Sequence, residues 1–202
     1  MLKRPAALGF RVHSGWAAMV ALSGPVTAPV LVLRRRIELT AGGGRKQPYH
    51  EAEPMPFNEA SAHIDACASA AAAASGKSLR EAVAKLSAYD IKGACILTAS
   101  GRPLPDLAAI LRSHALIHTA EGEFFRSAVG EACDSCGLAH WQVKERDLWA
   151  EAGRVLGRPV QELQSVVDAF KKDLGPPWQQ DQKLAALAAW VMLARYYGTS
   201  DP

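Results

Sequence analysis

The chain has 202 residues, 49% of them hydrophobic and 21% charged, which is room for one domain with a sizeable core and ordinary for a globular protein. Its formal charge of +3 is too small to imply nucleic acid or an anionic membrane, because those partners are met by a concentrated basic face. No run reaches the ~20 apolar residues of a membrane span. Residues 1–5 do not open a secretory signal, and four cysteines (Cys67, Cys95, Cys133, Cys136) do not make a disulfide framework. A cytoplasmic location without a membrane partner is the expectation.

In chain order, residues 8–13 and 16–22 are short apolar runs separated by Ser14-Gly15, a hairpin signal. After the turn Ser23-Gly24-Pro25, residues 29–39 hold Val30, Leu31, Val32, Leu33 and Ile37, favouring a third strand. Residues 41–56, rich in glycine and proline, read as a loop. Asn58 or Ser61 then caps an alanine-rich helix, interrupted near Gly76 and continuing to about Leu86.

Residues 91–98 read as a compact apolar strand. A helical pattern from Leu104 to Leu111 and a second from Glu121 to Cys136 precede a last short strand at residues 140–143. Three helices follow, over residues 148–156, 159–174 and 179–197. The last has an apolar stripe that includes Trp190 and spans nearly half its circumference, so it is expected either deep between neighbours or in a homodimer contact.

This order, β-β-β-α-β-α-β, resembles the ribonuclease H-like superfamily over about residues 7–157. Holliday junction resolvase-like nucleases and actin-like ATPases belong to that superfamily. His140-Trp141-Gln142-Val143-Lys144-Glu145-Arg146-Asp147-Leu148 looks like the strand followed by an acidic-arginine stretch in the resolvase-like branch. There the acid after the strand takes part in metal binding, and the resemblance puts Glu145 in that position. The family also places an aspartate on the first strand, where this chain has Phe10-Arg11-Val12-His13. Two-metal phosphoryl chemistry needs clustered carboxylates, which an arginine does not supply. In the ATPase branch Ser14-Gly15 would face a phosphate, but the acidic partner beside it is missing. The implied architecture is α/β, a ribonuclease H-like mixed sheet made of a three-strand antiparallel meander followed by α-β-α-β. It forms a single domain over residues 1–202, with a core at 7–157 and a helical C-terminal extension, 158–202, packed on it. The strand at 91–98 is expected to pair parallel to the first, because a helical crossover separates them.

Among local signals, His114, His118 and Glu121 stand at i, i+4 and i+7, a spacing that suits a transition metal if the helix is continuous. Thr119 as a cap and Gly122 would instead break it there. Tyr49-His50-Glu51 lies in the loop that the resemblance brings near the first strand, so His50 is expected to approach His13 or to remain a solvated loop group. Ser75-Gly76-Lys77-Ser78 lacks the first glycine and the preceding strand of a phosphate-binding loop. Cys133-x-x-Cys136 falls at a helix C-terminus, where the dipole does not activate a thiol.

Three functional readings follow. The first is a divergent or non-catalytic member binding a phosphate-bearing ligand or nucleic acid through Arg11, Ser14, Tyr49 and Arg102, with Arg34-Arg35-Arg36 as further basic groups. The second is a histidine-based hydrolase, with His13, His50 and Glu145 as catalytic candidates and His114, His118 and Glu121 as candidate metal ligands. The third is an interaction protein whose last helices form a homodimer face. The sequence leaves open whether the chain is an enzyme and which cofactor, if any, it takes.

Overall fold

The computed structural model describes residues 3–42, 44–99 and 103–198. Strands β1 (Arg4–His13), β2 (Trp16–Ser23) and β3 (Val30–Glu38) are followed, after helices α1 (Pro48–Ala52) and α2 (Phe57–Lys85), by β4 (Tyr89–Thr98). Helices α3 (Leu107–Leu111) and α4 (His114–Ser135) lead to β5 (His140–Lys144) and a 3-10 turn, Glu145–Asp147. Helices α5 (Leu148–Leu156), α6 (Val160–Ala169), α7 (Lys171–Leu174) and α8 (Gln180–Gly198) complete the chain.

The sheet order is β3-β2-β1-β4-β5. Strands β1, β2 and β3 pair antiparallel in sequence, whereas β4 pairs parallel with both β1 and β5. The parallel pairing of β1 with β4 is the one that the helical crossover requires. All three parallel strands therefore end on the same edge, which is where open α/β sheets place their ligands.

Period-2 alternation sends successive side chains to opposite faces. Ala18, Val20, Leu22, Cys95 and Leu97 pack with α5, α6 and α8, while Leu8, Phe10, Met19, Ala21 and Ile96 pack with α2 and α4. Helix α8 lies directly on the sheet, and Gly9 makes that approach possible. A Cβ at Gly9 would stand 1.9 Å from the Ala185 carbonyl oxygen and 2.5 Å from the Ala189 nitrogen. Every residue of α8 from Leu184 to Val191 is buried within its own chain, and the Trp190 indole N–H donates to the Val26 carbonyl. The broad apolar stripe of this helix is thus covered by the sheet and the neighbouring helices of the same chain.

Three expectations need correction. Helix α2 runs unbroken through Gly76, with neither Asn58 nor Ser61 as its cap; Pro56 holds the N-cap position. The glycine is buried within the helix, with the Ser135 hydroxyl of α4 at an ordinary contact distance, 3.6 Å from where its Cβ would be, so it is a packing position rather than an interruption. The glycine- and proline-rich loop contains α1, started by Pro48 in the first helical turn, where proline is well tolerated. Helix α4 is continuous from His114, since Thr119 donates its hydroxyl back to the Ala115 carbonyl instead of capping a new helix. Burial of Ile117, Ala120, Phe125 and Val129 along one face offsets the ~1 kcal/mol that an interior glycine costs.

Candidate functional site

At the C-terminal edge of the parallel strands, β1 ends on Arg11 and His13, and the turn after β5 presents Glu145. The guanidinium of Arg11 donates through Nε to Glu145 Oε2 and through Nη2 to Oε1, both at 2.9 Å, a fork-to-fork pair. Its Nη1 also donates to Oδ1 of Asp181, in the first turn of α8. His13 Nε2 lies 3.0 Å from the same Oδ1, and its ring stacks on Trp16 with centroids 4.3 Å apart. Burial works against the charge of Asp181, but the hydrogen bonds from Arg11 and His13 outweigh it and hold its carboxyl below the ordinary aspartate range. The bond to Glu145 leads the influences that push Arg11 the other way, to an even firmer positive charge.

This donor set does not fit a pair of hard divalent cations. Such cations need clustered oxygen ligands, and here a guanidinium spans the two carboxylates. Arg11 thus has carboxylates as its partners. Ser14, beside Gly15 (φ 82°) in the β1–β2 turn, is exposed. The run Arg34-Arg35-Arg36 is spent inside the chain: Arg34 donates to the carbonyls of Gly175, Pro176 and Pro177, Arg35 pairs with Glu81, and Arg36 pairs with Glu38 and lies over the Trp16 ring. Arg102 lies outside the described residues.

Beside the carboxylates opens a cleft of about 660 Å³ lined by Thr98, Ala99, Arg126, Glu145, Arg146 and Trp149. A smaller depression of about 250 Å³, lined by His118, Thr119 and Gly122, shares Ala99 and Arg126 with it. Arg126 donates to Glu123 at 3.0 Å, while its buried Nε has no hydrogen-bond partner among the described residues.

The histidines converge, though not as the loop position suggested. His50 does not reach His13. It meets His114 and His118, with ring centroids 5.4 and 4.8 Å away, because α1 docks against α4. His114 and His118 face each other with Nε2 atoms 3.1 Å apart. One nitrogen of each of the three lies within 4.8 Å of the others. Glu121 is turned inward, 5% exposed, and takes the role of a bracket: its Oε1 accepts from the backbone N–H groups of Tyr49 (2.8 Å) and His50 (3.1 Å) and lies 3.2 Å from His50 Nδ1. Burial pushes the Glu121 carboxyl up, and the bonds from His50 and Tyr49 oppose that rise. Tyr49 contributes its backbone N–H here and packs its ring edge-on against Phe124; burial pushes its phenol up.

Sequence reasoning missed Asp181, Arg126 and the pair His63–Cys67. In the sequence Asp181 is only one of the polar residues in the first turn of an otherwise apolar helix. His63 Nε2 lies 3.6 Å from the Cys67 thiol, and the two share one helix face at i, i+4, which was the available signal. Burial pushes the Cys67 thiol up, so it lacks the thiolate character of a nucleophile. The thiols of Cys95 and Cys133 are pushed to about 12 by burial; both are packing groups.

No family model matches the chain, and no curated protein matches it. Solved structures do match it, two of RuvC among them. RuvC of Thermus thermophilus aligns with a TM-score of 0.52 and 11% identity, covering 98% of this chain and 99% of that one. The structure of T. thermophilus RuvC in complex with Holliday junction substrate aligns with the same score and identity, covering 98% of each chain. The shared property is the fold, a mixed sheet flanked by helices. Among the described residues no helix is long and apolar enough to cross a membrane.

Proposed function

We propose that the chain is a divergent ribonuclease H-like protein that binds a phosphate-bearing ligand, nucleic acid first among them, at the C-terminal edge of its parallel strands, and that it does not carry out two-metal phosphoryl transfer. The observation that carries this reading is Arg11, whose guanidinium spans Glu145 and Asp181 and so occupies the attraction that cations would otherwise satisfy. The adjoining cleft supports the binding half. Arg126 borders it, Arg146 is exposed at its rim, and Trp149 supplies an aromatic wall. An exposed guanidinium such as that of Arg146 offers phosphate a charge-assisted hydrogen bond, and a tryptophan offers a base a stacking surface. RuvC, which shares the fold, is described in complex with a Holliday junction.

Electrophoretic retention of four-way junction, duplex and single-stranded DNA at about 50 and about 200 mM salt tests the reading. Retention at the lower salt that falls steeply at the higher is expected, with Arg146→Glu weakening it. Absence of retention of every nucleic acid at low salt removes the nucleic-acid form. Magnesium and manganese are expected to support no cleavage; metal-dependent cleavage abolished by Glu145→Ala would overturn the non-catalytic half.

A further inference from the structure

The histidine trio on α1 and α4 stands apart from the Arg11 network and has no part in the reading above. His114 and His118 are one turn apart on α4, so their imidazoles stand side by side. Ligands held tetrahedrally at ~2.0–2.1 Å from a zinc ion are themselves roughly 3.3–3.4 Å apart. The His114 and His118 Nε2 atoms, at 3.1 Å, already have nearly that spacing, and a nitrogen of His50 is within 4.8 Å of both. His50 has one ring nitrogen engaged, Nδ1 beside Glu121 Oε1 at 3.2 Å, which leaves Nε2 as its ligand atom. A carboxylate holding the far nitrogen of a ligating imidazole is the usual outer support of a metal site, since it fixes the tautomer and the ring orientation.

The support is itself built in. Glu121 is buried on α4, and its Oε1 is held by the N–H groups of Tyr49 and His50 in the first turn of α1, the helix that carries the third imidazole. The same carboxylate therefore docks α1 and aims His50. Three imidazoles suit zinc, copper or nickel and not the hard cations magnesium and calcium. His118 also lines the depression that shares Ala99 and Arg126 with the main cleft, so a fourth ligand position would open towards that surface.

We propose that His50, His114 and His118 are the protein ligands of a single transition-metal ion, zinc above all, with Glu121 as the residue that positions His50 and with the fourth coordination position open to an exogenous ligand. Three protein ligands and an open position distinguish such a site from a closed structural zinc site.

The full chain, stripped with a chelator and checked for folding by circular dichroism, would be titrated with zinc by calorimetry and loaded with cobalt for visible spectroscopy. One equivalent of zinc and the intense d–d bands of four-coordinate cobalt are expected. His50→Ala and His118→Ala are each expected to lose the bound equivalent, whereas His140→Gln, at the far end of β5, retains it. Glu121→Gln is expected to keep the stoichiometry and weaken the affinity about 10–100-fold; should that variant not fold, the two histidine variants decide alone. Failure of the wild-type chain to bind zinc would overturn the proposal, leaving a hydrogen-bonded imidazole cluster. So would an equivalent retained by both His50→Ala and His118→Ala. The readout contains no nucleic acid, so its failure is distinct from failure of the cleft reading.

Discussion

Arg11 is joined to Glu145, 134 residues away, and to Asp181, 170 residues away. A carboxyl held below its ordinary range contributes stability that is present above the unfolded-state pKa, near 3.9, and lost as the pH falls through the lowered folded value. The wild-type chain is therefore expected to lose more stability between pH 5 and pH 3 than Asp181→Asn does, the two curves converging at the acid end. Urea unfolding at a series of pH values measures this; parallel curves would detach Asp181 from the network. A second test reverses the charge of the clamp. Arg11→Asp would gather three carboxylates on the strand edge, costing stability without cations because like charges repel and binding magnesium when it is supplied. The melting temperature of that variant is expected to rise with millimolar magnesium while the wild type stays unmoved, since only a ligand that binds the folded state raises it. The resemblance read from the sequence calls for an acid on the first strand, and Phe10-Arg11-Val12-His13 holds none. The sequence could not expose Asp181, because nothing local joins the first turn of the last helix to the end of the first strand.

The elements explain why some groups were legible and others were not. The i, i+4, i+7 spacing put His114, His118 and Glu121 on one face of α4, and the continuous helix makes that placement real. The inward turn of Glu121 and the arrival of His50 depend on α1, five residues within a segment whose glycines and prolines read as loop. Short helices are stabilised by docking rather than propensity, and here the docking group is Glu121 itself. Docking also governs Gly9. Any side chain there collides with the α8 backbone at Ala185 and Ala189, and backbone cannot yield as a flexible side chain can. Gly9→Val is expected to cost at least the ~1–3 kcal/mol of an overpacked core, read as a lower urea midpoint or as insoluble protein. A stable, soluble Gly9→Val would contradict the close approach of α8 to β1.

At the scale of the whole molecule, a five-stranded mixed sheet carries α2 and α4 on one face and α5, α6 and α8 on the other. The apolar runs and the turn residues between them were enough to read the α/β class and the parallel pairing of β1 with β4. The breadth of the apolar stripe on α8 left two partners open, a second copy or the chain itself, because periodicity reports how much surface is apolar and not what covers it. Trp190, completely buried within its own chain, now carries a definite expectation. Trp190→Glu should abolish cooperative unfolding in a thermal melt, since an unpaired charge would enter the core; a folded variant that differs from wild type only in sedimentation would indicate instead a surface between copies.

The contact between Gly9 and α8 also has a consequence in time. The first strand and the last helix are nearest neighbours in space and about 175 residues apart in sequence. Contacts of such long range are slow to form, because the entropy of closing the intervening chain is spent before they return any stabilisation. On the ribosome, Leu8, Phe10, Met19 and their neighbours can gain their cover from α2 and α4 early. The opposite face of the sheet stays wet until the final helix has emerged. A nascent chain halted before residue 180 would thus present an apolar sheet face to its surroundings, the kind of surface that chaperones bind and that drives aggregation. Native burial of this face is completed only after synthesis of the segment that covers it.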